Sequence, residues 1–227
     1  ATAIKSMRKR KLAGIGVLLG VTALLFGGCN EKEAPQKLRV GVTYYDQNDT
    51  YLNELIGLFK ESLKEIESDK LEVSVTIRDA AGVQKNQNDQ VEELIDEGCN
   101  ILCVNLVDRA DPSEIIDLAR ESEVPIIFFN REPVAEDLRQ WEKLYYVGAD
   151  AKQSGKLQGE LAVEMIEENP QIDKNKDGKI QYVVLEGEMG HQDAIIRTEN
   201  AVNTLKENGI EVEKLSCKIA NWNRAQA

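Results

Sequence analysis

Two nearly continuous apolar runs, "NILCVNL" at 100–106 and "VPIIFFN" at 124–130, set the tightest limit on what this chain can fold into. A run without polar alternation marks a strand covered on both faces, as central strands of parallel sheets are. Between them, 112–122 carries Ile115, Ile116, Leu118 and Ala119 on one helical face. Strand, amphipathic helix and strand make a βαβ unit, so the class is α/β with parallel sheets and right-handed crossovers.

The same alternation extends both ways. Strands are predicted over 38–45, 71–79, 143–150, 179–186 and 210–219. Helices are predicted over 50–67, 151–168 and 192–208, with a further one in "QVEELIDEG" ending at Gly98. The strand at 143–150 follows a loop, "REPVAEDLRQWE", rather than a crossover helix, which places a lobe boundary near Gly148. The expected organisation is a first lobe over 38–147 and a partial second lobe over 148–227. Two strands are too few to close a core, so the second lobe reads as incomplete and the chain as C-terminally truncated. Its autonomous stability should be poor for want of buried area. The closing "ANWNRAQA" reads as the start of another helix.

Charge narrows the partners. The 227 residues carry a net charge of −12. Residues 1–28 hold five basic groups and no acid, which leaves 23 Lys+Arg against 40 Asp+Glu, a net of −17, for the rest. A body that acidic repels phosphate backbones, so nucleic acid is not an expected partner. With one His in the chain, the choice of catalytic bases is also short.

The N-terminus reads as a leader. "MRKRK" is followed by 17 residues, "LAGIGVLLGVTALLFGG", and then Cys29. That stretch is short of the ~20 residues a membrane span needs and suits a signal h-region. "LFGGC" resembles a bacterial lipobox, with Phe26 where Leu is more usual. The expectation is a lipoprotein signal peptide over 1–28, lipidation at Cys29 and a tether over 29–37. Cys99, Cys103 and Cys217 have no metal-ligand spacing and read as core filler.

Ligands of open parallel sheets bind outside the carboxyl ends of the strands. Those ends carry Asp49, Tyr51, Asn130, His191, Asp193, Arg197 and Trp222. Carboxylates, an amide, a guanidinium and an imidazole suit hydroxyl groups that both donate and accept. Two aromatic rings offer flat apolar faces to the C–H sides of a pyranose. Each residue also has a plainer role: Asp49 and His191 as helix caps, Asp193 with Arg197 as an i,i+4 ion pair, Asn130 as a turn former, Tyr51 and Trp222 as core or rim aromatics.

A further motif, "IDKNKDGKIQ" at 172–181, sets Asp173, Asn175 and Asp177 at alternate positions before Gly178. With the Lys179 carbonyl and Gln181 these supply about five oxygens, against the 6–8 that Ca²⁺ takes. The usual closing Glu position is Val184, and Glu186 lies about 16 Å from Gln181 along a strand. A polar turn without an ion is the other reading of this loop.

"GVTYYDQNDTYL", "QKNQNDQVEELIDEG", "NLVDRADPSEIIDLARESEVPIIFFNREP", "YYVGADAKQSGKLQGEL", "DKNKDGKIQYVVLEGEMGHQDAIIRT" and "NWNRAQA" together resemble the galactose/glucose-binding branch of the periplasmic sugar-binding family. The resemblance runs from Leu38 to Ala227. It implies two Rossmann-like lobes of the type I periplasmic binding protein fold, closing on a monosaccharide without chemistry. It further implies that Asp49, Asn130, His191, Asp193 and Arg197 bond to galactose or glucose while Tyr51 and Trp222 sandwich the ring. Tyr51 stands where such proteins usually have Phe. The calcium loop, with ligands Asp173, Asn175, Asp177, Lys179 and Gln181, would be closed by a remote Glu beyond Ala227. The implied partners are the permease of an ABC importer, in some relatives a chemoreceptor, and the cell membrane through the lipid anchor. The implied protein is an extracytoplasmic or periplasmic monomer and not an enzyme. Weighed beside this are the same fold binding ribose, xylose or a furanosyl molecule, a sugar-responsive regulator, and a carbohydrate-active enzyme using His191, Asp193 and Glu188.

Overall fold

The computed structural model describes residues 34–227. The leader, its cleavage region and Cys29 lie outside the described residues. The chain runs β1 (Gln36–Tyr44), α1 (Thr50–Glu65), β2 (Leu71–Asp79), α2 (Gln84–Asp96), β3 (Ile101–Val104), α3 (Ser113–Glu121) and β4 (Ile126–Phe129). It continues through α4 (Ala135–Leu138), β5 (Leu144–Val147), α5 (Ala151–Glu168), β6 (Ile180–Glu186), α6 (Gln192–Glu207) and β7 (Val212–Ile219). Strands β1 to β5 form one sheet in the order β2-β1-β3-β4-β5, and β6 pairs with β7 in a second. Every pairing is parallel.

The apolar runs are buried as their pattern requires. Leu102, Val104, Ile126 and Phe128 face α2 and α3, in a cluster with Leu94, Ile115, Ile116 and Ala119. Their neighbours Ile101, Cys103, Ile127 and Phe129 face the other way, with Val40, Val42 and Leu63. One face is fully buried and the other is at least half-buried among apolar neighbours, so polar alternation is absent from these strands. The sheet order reverses direction at β1, which has β2 on one side and β3 on the other. A crevice therefore opens at the carboxyl ends of β1 and β3.

Several expectations need correction. Gln36 and Lys37 already pair with Leu71 and Glu72, so β1 begins inside the segment expected as tether. The loop over 131–142 contains a single helical turn, α4. The closing residues form turns, Ala220 to Asn223 and Asn223 to Gln226, rather than a helix. Cys217 is exposed on β7, whereas Cys99 and Cys103 are buried as expected. Burial pushes the Cys103 thiol up to about 11, which leaves it inert.

The second sheet is thinly covered. Val183, Leu185 and Leu215 are exposed, and all three hydrophobic clusters belong to the first sheet. What orders this part is the contact of α5 with α6. A Cβ on Gly155 would lie 2.5 Å from the Arg197 carbonyl oxygen and 2.9 Å from its Cα. One on Gly159 would lie 2.5 Å from the Thr204 Cβ. The two glycines, one turn apart, let the helices touch backbone to backbone.

Gly155→Ala must push α6 away, and its gain in helix propensity of about 1 kcal/mol is too small to offset overpacking of about 1–3 kcal/mol. The expected result is a lower urea midpoint. Gly57→Ala on α1, where nothing lies within 4 Å of the added Cβ, should instead raise it. Equal effects from both substitutions would contradict the close contact.

Candidate functional site

The carboxyl ends of both sheets face one cleft of about 1030 Å³. All seven residues picked out from the strand ends line it: Asp49, Tyr51, Asn130, His191, Asp193, Arg197 and Trp222. Asp49 and Tyr51 come from the β1–α1 junction, and Asn130 follows β4. His191, Asp193 and Arg197 open α6 after β6, and Trp222 follows β7. Residues far apart in sequence meet there because parallel strands bring their ends together.

The plainer roles are present as well. Asp49 caps α1, its Oδ1 accepting from the Leu52 N–H at 3.0 Å. Its Oδ2 accepts from the Tyr45 hydroxyl at 2.8 Å. Burial, then that bond to Asp49, raises the Tyr45 pKa well above its ordinary value, so the phenol stays a donor. His191 caps α6, with Nδ1 accepting from the Asp193 N–H at 3.2 Å. That bond needs an unprotonated Nδ1 and leaves Nε2–H as the donor. Burial, reinforced by the nearby Arg131 charge, lowers the His191 pKa and keeps the ring neutral. Its ring meets Trp222 edge to face at 5.4 Å.

Arg197 stands 3.7 Å from Asp193, and its Nε is buried without a partner among the described residues. An unpaired buried donor is costly, about 1–3 kcal/mol. Backbone strain concentrates at the same place. Asn130, Asn221 and Trp222 all have positive φ, and for a residue as bulky as Trp222 that conformation is uncommon. Trp222 fits only because Gly187 has no Cβ to strike its ring.

Residue-type reasoning passed over two partners. Arg131 is buried, with its guanidinium 3.7 Å above the Tyr45 ring. It donates to the Val107 carbonyl at 3.1 Å and to Glu188 Oε2 at 2.6 Å. Arg131 follows β4 and Glu188 follows β6, so the pair joins loops of the two sheets. The signal was available: Arg131 adjoins Asn130 at a strand's carboxyl end. The second omission is Asn105, at the end of β3.

The loop at 173–181 leads into β6. Asp173 accepts from the N–H groups of Lys176 at 2.8 Å and Gly178 at 2.9 Å. Asp177 accepts from the Lys179 N–H at 2.9 Å and from the side chains of Asn175 and Gln181. The backbone bond from Lys179 leads the causes that lower the Asp177 pKa. Gly178 at φ 84 and Lys176 at φ 59 make the turn. The hard oxygens of Asp173, Asn175 and Asp177 fit an alkaline-earth cation in kind and fall short of it in number. Among the described residues, no group of three or more His, Cys, Asp or Glu side chains could hold a metal.

Comparison with known proteins places this architecture. A periplasmic binding protein domain matches residues 40–227. The D-galactose/methyl-galactoside binding periplasmic protein MglB of Haemophilus influenzae is 39% identical over 189 residues, covering 83% of this chain and 56% of its own length. The chain thus spans about half of that relative. A crystal structure of a galactofuranose binding protein superposes with a TM-score of 0.68 at 19% identity, covering 83% of this chain and 58% of that one. A solute binding protein of an ABC transporter from Bacillus halodurans C-125, with bound myo-inositol, gives 0.66 at 24% identity, covering 86% and 61%. At those identities the structures speak for the fold. The matched domain spans nearly all of the described residues, and the chain belongs to the periplasmic binding protein family.

Proposed function

We propose that this chain is the sugar-binding part of an extracytoplasmic solute-binding protein. In this reading it closes its lobes on galactose or glucose and hands the sugar to an ABC importer. One observation carries the reading: seven polar and aromatic side chains of the kinds that suit a sugar's hydroxyls and ring share one cleft. The resemblance to a D-galactose-binding relative supports it. Asp49 and Asp193 accept from sugar hydroxyls, while Asn130, His191 Nε2–H and Arg197 donate. Tyr51 and Trp222 flank the pyranose. No step is chemical, and the acidic groups serve as acceptors rather than as acid and base.

The wider assignment rests on the same reading. The protein is a monomer held at the membrane through a lipid on Cys29, and the closed form also presents itself to a chemoreceptor. Asp173, Asn175, Asp177, the Lys179 carbonyl and Gln181 would supply about five of the 6–8 oxygens of a structural Ca²⁺ at the entry to β6, with a remote Glu of the full-length protein completing the shell.

Titration calorimetry of the full-length protein against galactose, glucose and ribose tests the core of this proposal. Micromolar or tighter binding of a hexose, and ribose weaker by about a hundredfold, is the expected pattern. Flat traces for both hexoses reject it.

Affinity should also depend on pH through His191. Its folded-state pKa is depressed below 6.5, so the fold favours the neutral ring. The contribution is complete above the unfolded value and is lost as pH falls through it toward the depressed one. Binding that uses the neutral ring should hold at neutral pH and weaken only as pH falls below 6.5 through the depressed value, and His191→Asn, which keeps a capping oxygen, should flatten that dependence. A wild-type affinity constant over this range argues against the neutral-donor role.

For the cation, calcium at a hundredfold its Kd adds about 2.7 kcal/mol, which shifts the melting midpoint of a domain this size by roughly 5–10 °C. Asp177→Ala should remove the shift. A wild-type midpoint unmoved between excess calcium and a chelator counts against the site.

A further inference from the structure

Asn105 lies behind the cleft and is fully buried at the carboxyl end of β3. Its Oδ1 accepts from the Tyr45 N–H at 3.3 Å. Its Nδ2 donates to the Phe129 carbonyl and to Asn130 Oδ1, each at 3.1 Å. Its backbone N–H donates to the Thr43 carbonyl at 2.9 Å, and its own carbonyl accepts from Gln87 Nε2 at 2.9 Å. Gln87 is also fully buried, and its Oε1 takes the Val107 N–H at 2.9 Å. One side chain thus ties the ends of β1, β3 and β4 together.

This tie settles which way Asn130 points its amide. A backbone N–H can only donate, so the end of the Asn105 amide facing Tyr45 must be the oxygen. The other end is then the NH₂ group, which can only donate and must meet an acceptor. Asn130 therefore turns its oxygen toward Asn105, and its own NH₂ is left for the cleft it lines. The backbone agrees. Asn130 has φ 63, and the Arg131 N–H donates back to the Phe129 carbonyl at 2.7 Å, a γ-turn of the rarer, strained hand. Such a conformation persists only where the surroundings over-determine it. The two bonds from Asn105 Nδ2, one to the backbone of this turn and one to its side chain, do so.

We propose that Asn105 is a positioning residue: it locks the Asn130 side chain as a hydrogen-bond donor into the cleft, so that this subsite selects for an acceptor oxygen on the ligand. The ligand class, a hexose, rests on the reading above, whereas the amide orientation does not. A site built around a fixed polar group discriminates strongly against analogues that lack its partner, because the group is then left unpaired.

The test is a double-substitution cycle read by hexose affinity. Asn105→Ala should weaken hexose binding about tenfold or more, the scale of one lost hydrogen bond in a dry site. In an Asn130→Ala background the same substitution should cost less than about twofold. Among monodeoxy hexoses, the one lacking the oxygen opposite Asn130 should be insensitive to Asn105→Ala. Equal losses in both backgrounds, and for every deoxy sugar, would mean a structural role alone and overturn the proposal. Should Asn105→Ala not fold, Asn105→Ser, which keeps a small polar group, takes its place in the cycle. A direct measurement needs neither variant nor sugar: a scalar coupling through the hydrogen bond, between Asn105 Nδ2 and Asn130 Cγ, is expected in the unliganded protein. A coupling in the reverse sense, from Asn130 Nδ2 to Asn105 Cγ, overturns the proposal. If wild type binds no hexose, the sugar reading fails and the coupling still decides the orientation of Asn130.

Discussion

The cleft rests on two strands anchored by a fully buried apolar layer. β3 and β4 are fully buried on one face through Leu102, Val104, Ile126 and Phe128, while on the other face Ile127 and Phe129 are half-buried and line the cleft with Cys103. Close-packed interiors tolerate little displacement, so the carboxyl ends of these strands make a rigid rim. Parallel strands also end with their backbone groups unpaired. Buried amides answer that need: Asn105 bonds to the ends of β1 and β4, and Gln87 bonds to Asn105 and Val107. The polar layer at the rim follows from the apolar layer beneath it.

The second half of the cleft is built on a different principle. Its strands are thinly covered, and α6 is positioned chiefly by contact with α5 through Gly155 and Gly159. Arg197 belongs to that contact, since its backbone occupies the space a Gly155 side chain would fill. The helix that presents His191, Asp193 and Arg197 is thus placed by what two positions lack. A firm rim facing a helix seated on a backbone contact suits a protein whose proposed work is to close.

How much of this was legible follows from the range of each interaction. The βαβ order, the central strands and the seven cleft residues are local patterns plus one rule, that ligands sit at carboxyl ends. Asn105 ends a strand as Asn130 does and was open to the same rule. It escaped because its role appears only once three strands are paired. Arg131 escaped for a related reason, since its partners Tyr45, Val107 and Glu188 lie up to 86 positions from it in the chain. The Gly155–Arg197 contact had a visible signal in the two glycines one turn apart, but nothing local says which helix they admit. The exposed Cys217 was misread because β7 is covered on less of its surface than its apolar content suggests.

Arg131 ties the two halves of the cleft together. Its guanidinium is buried, and burial of a charge costs several kcal/mol unless its bonds are made. The first sheet supplies only part of what it needs, the Tyr45 face and the Val107 carbonyl. Among the described residues, the one carboxylate it bonds belongs to Glu188, on the far side. Separating the halves would leave that charge without its counter-ion, and water would have to enter to replace it. Joining them restores a pair whose Arg131 side is already dry and whose Glu188 side is still partly wet. The same cation stacks on Tyr45, which holds Asp49, and it is among the charges that depress the His191 pKa. The contact between the halves thus adjoins the groups of the cleft through Tyr45 and His191.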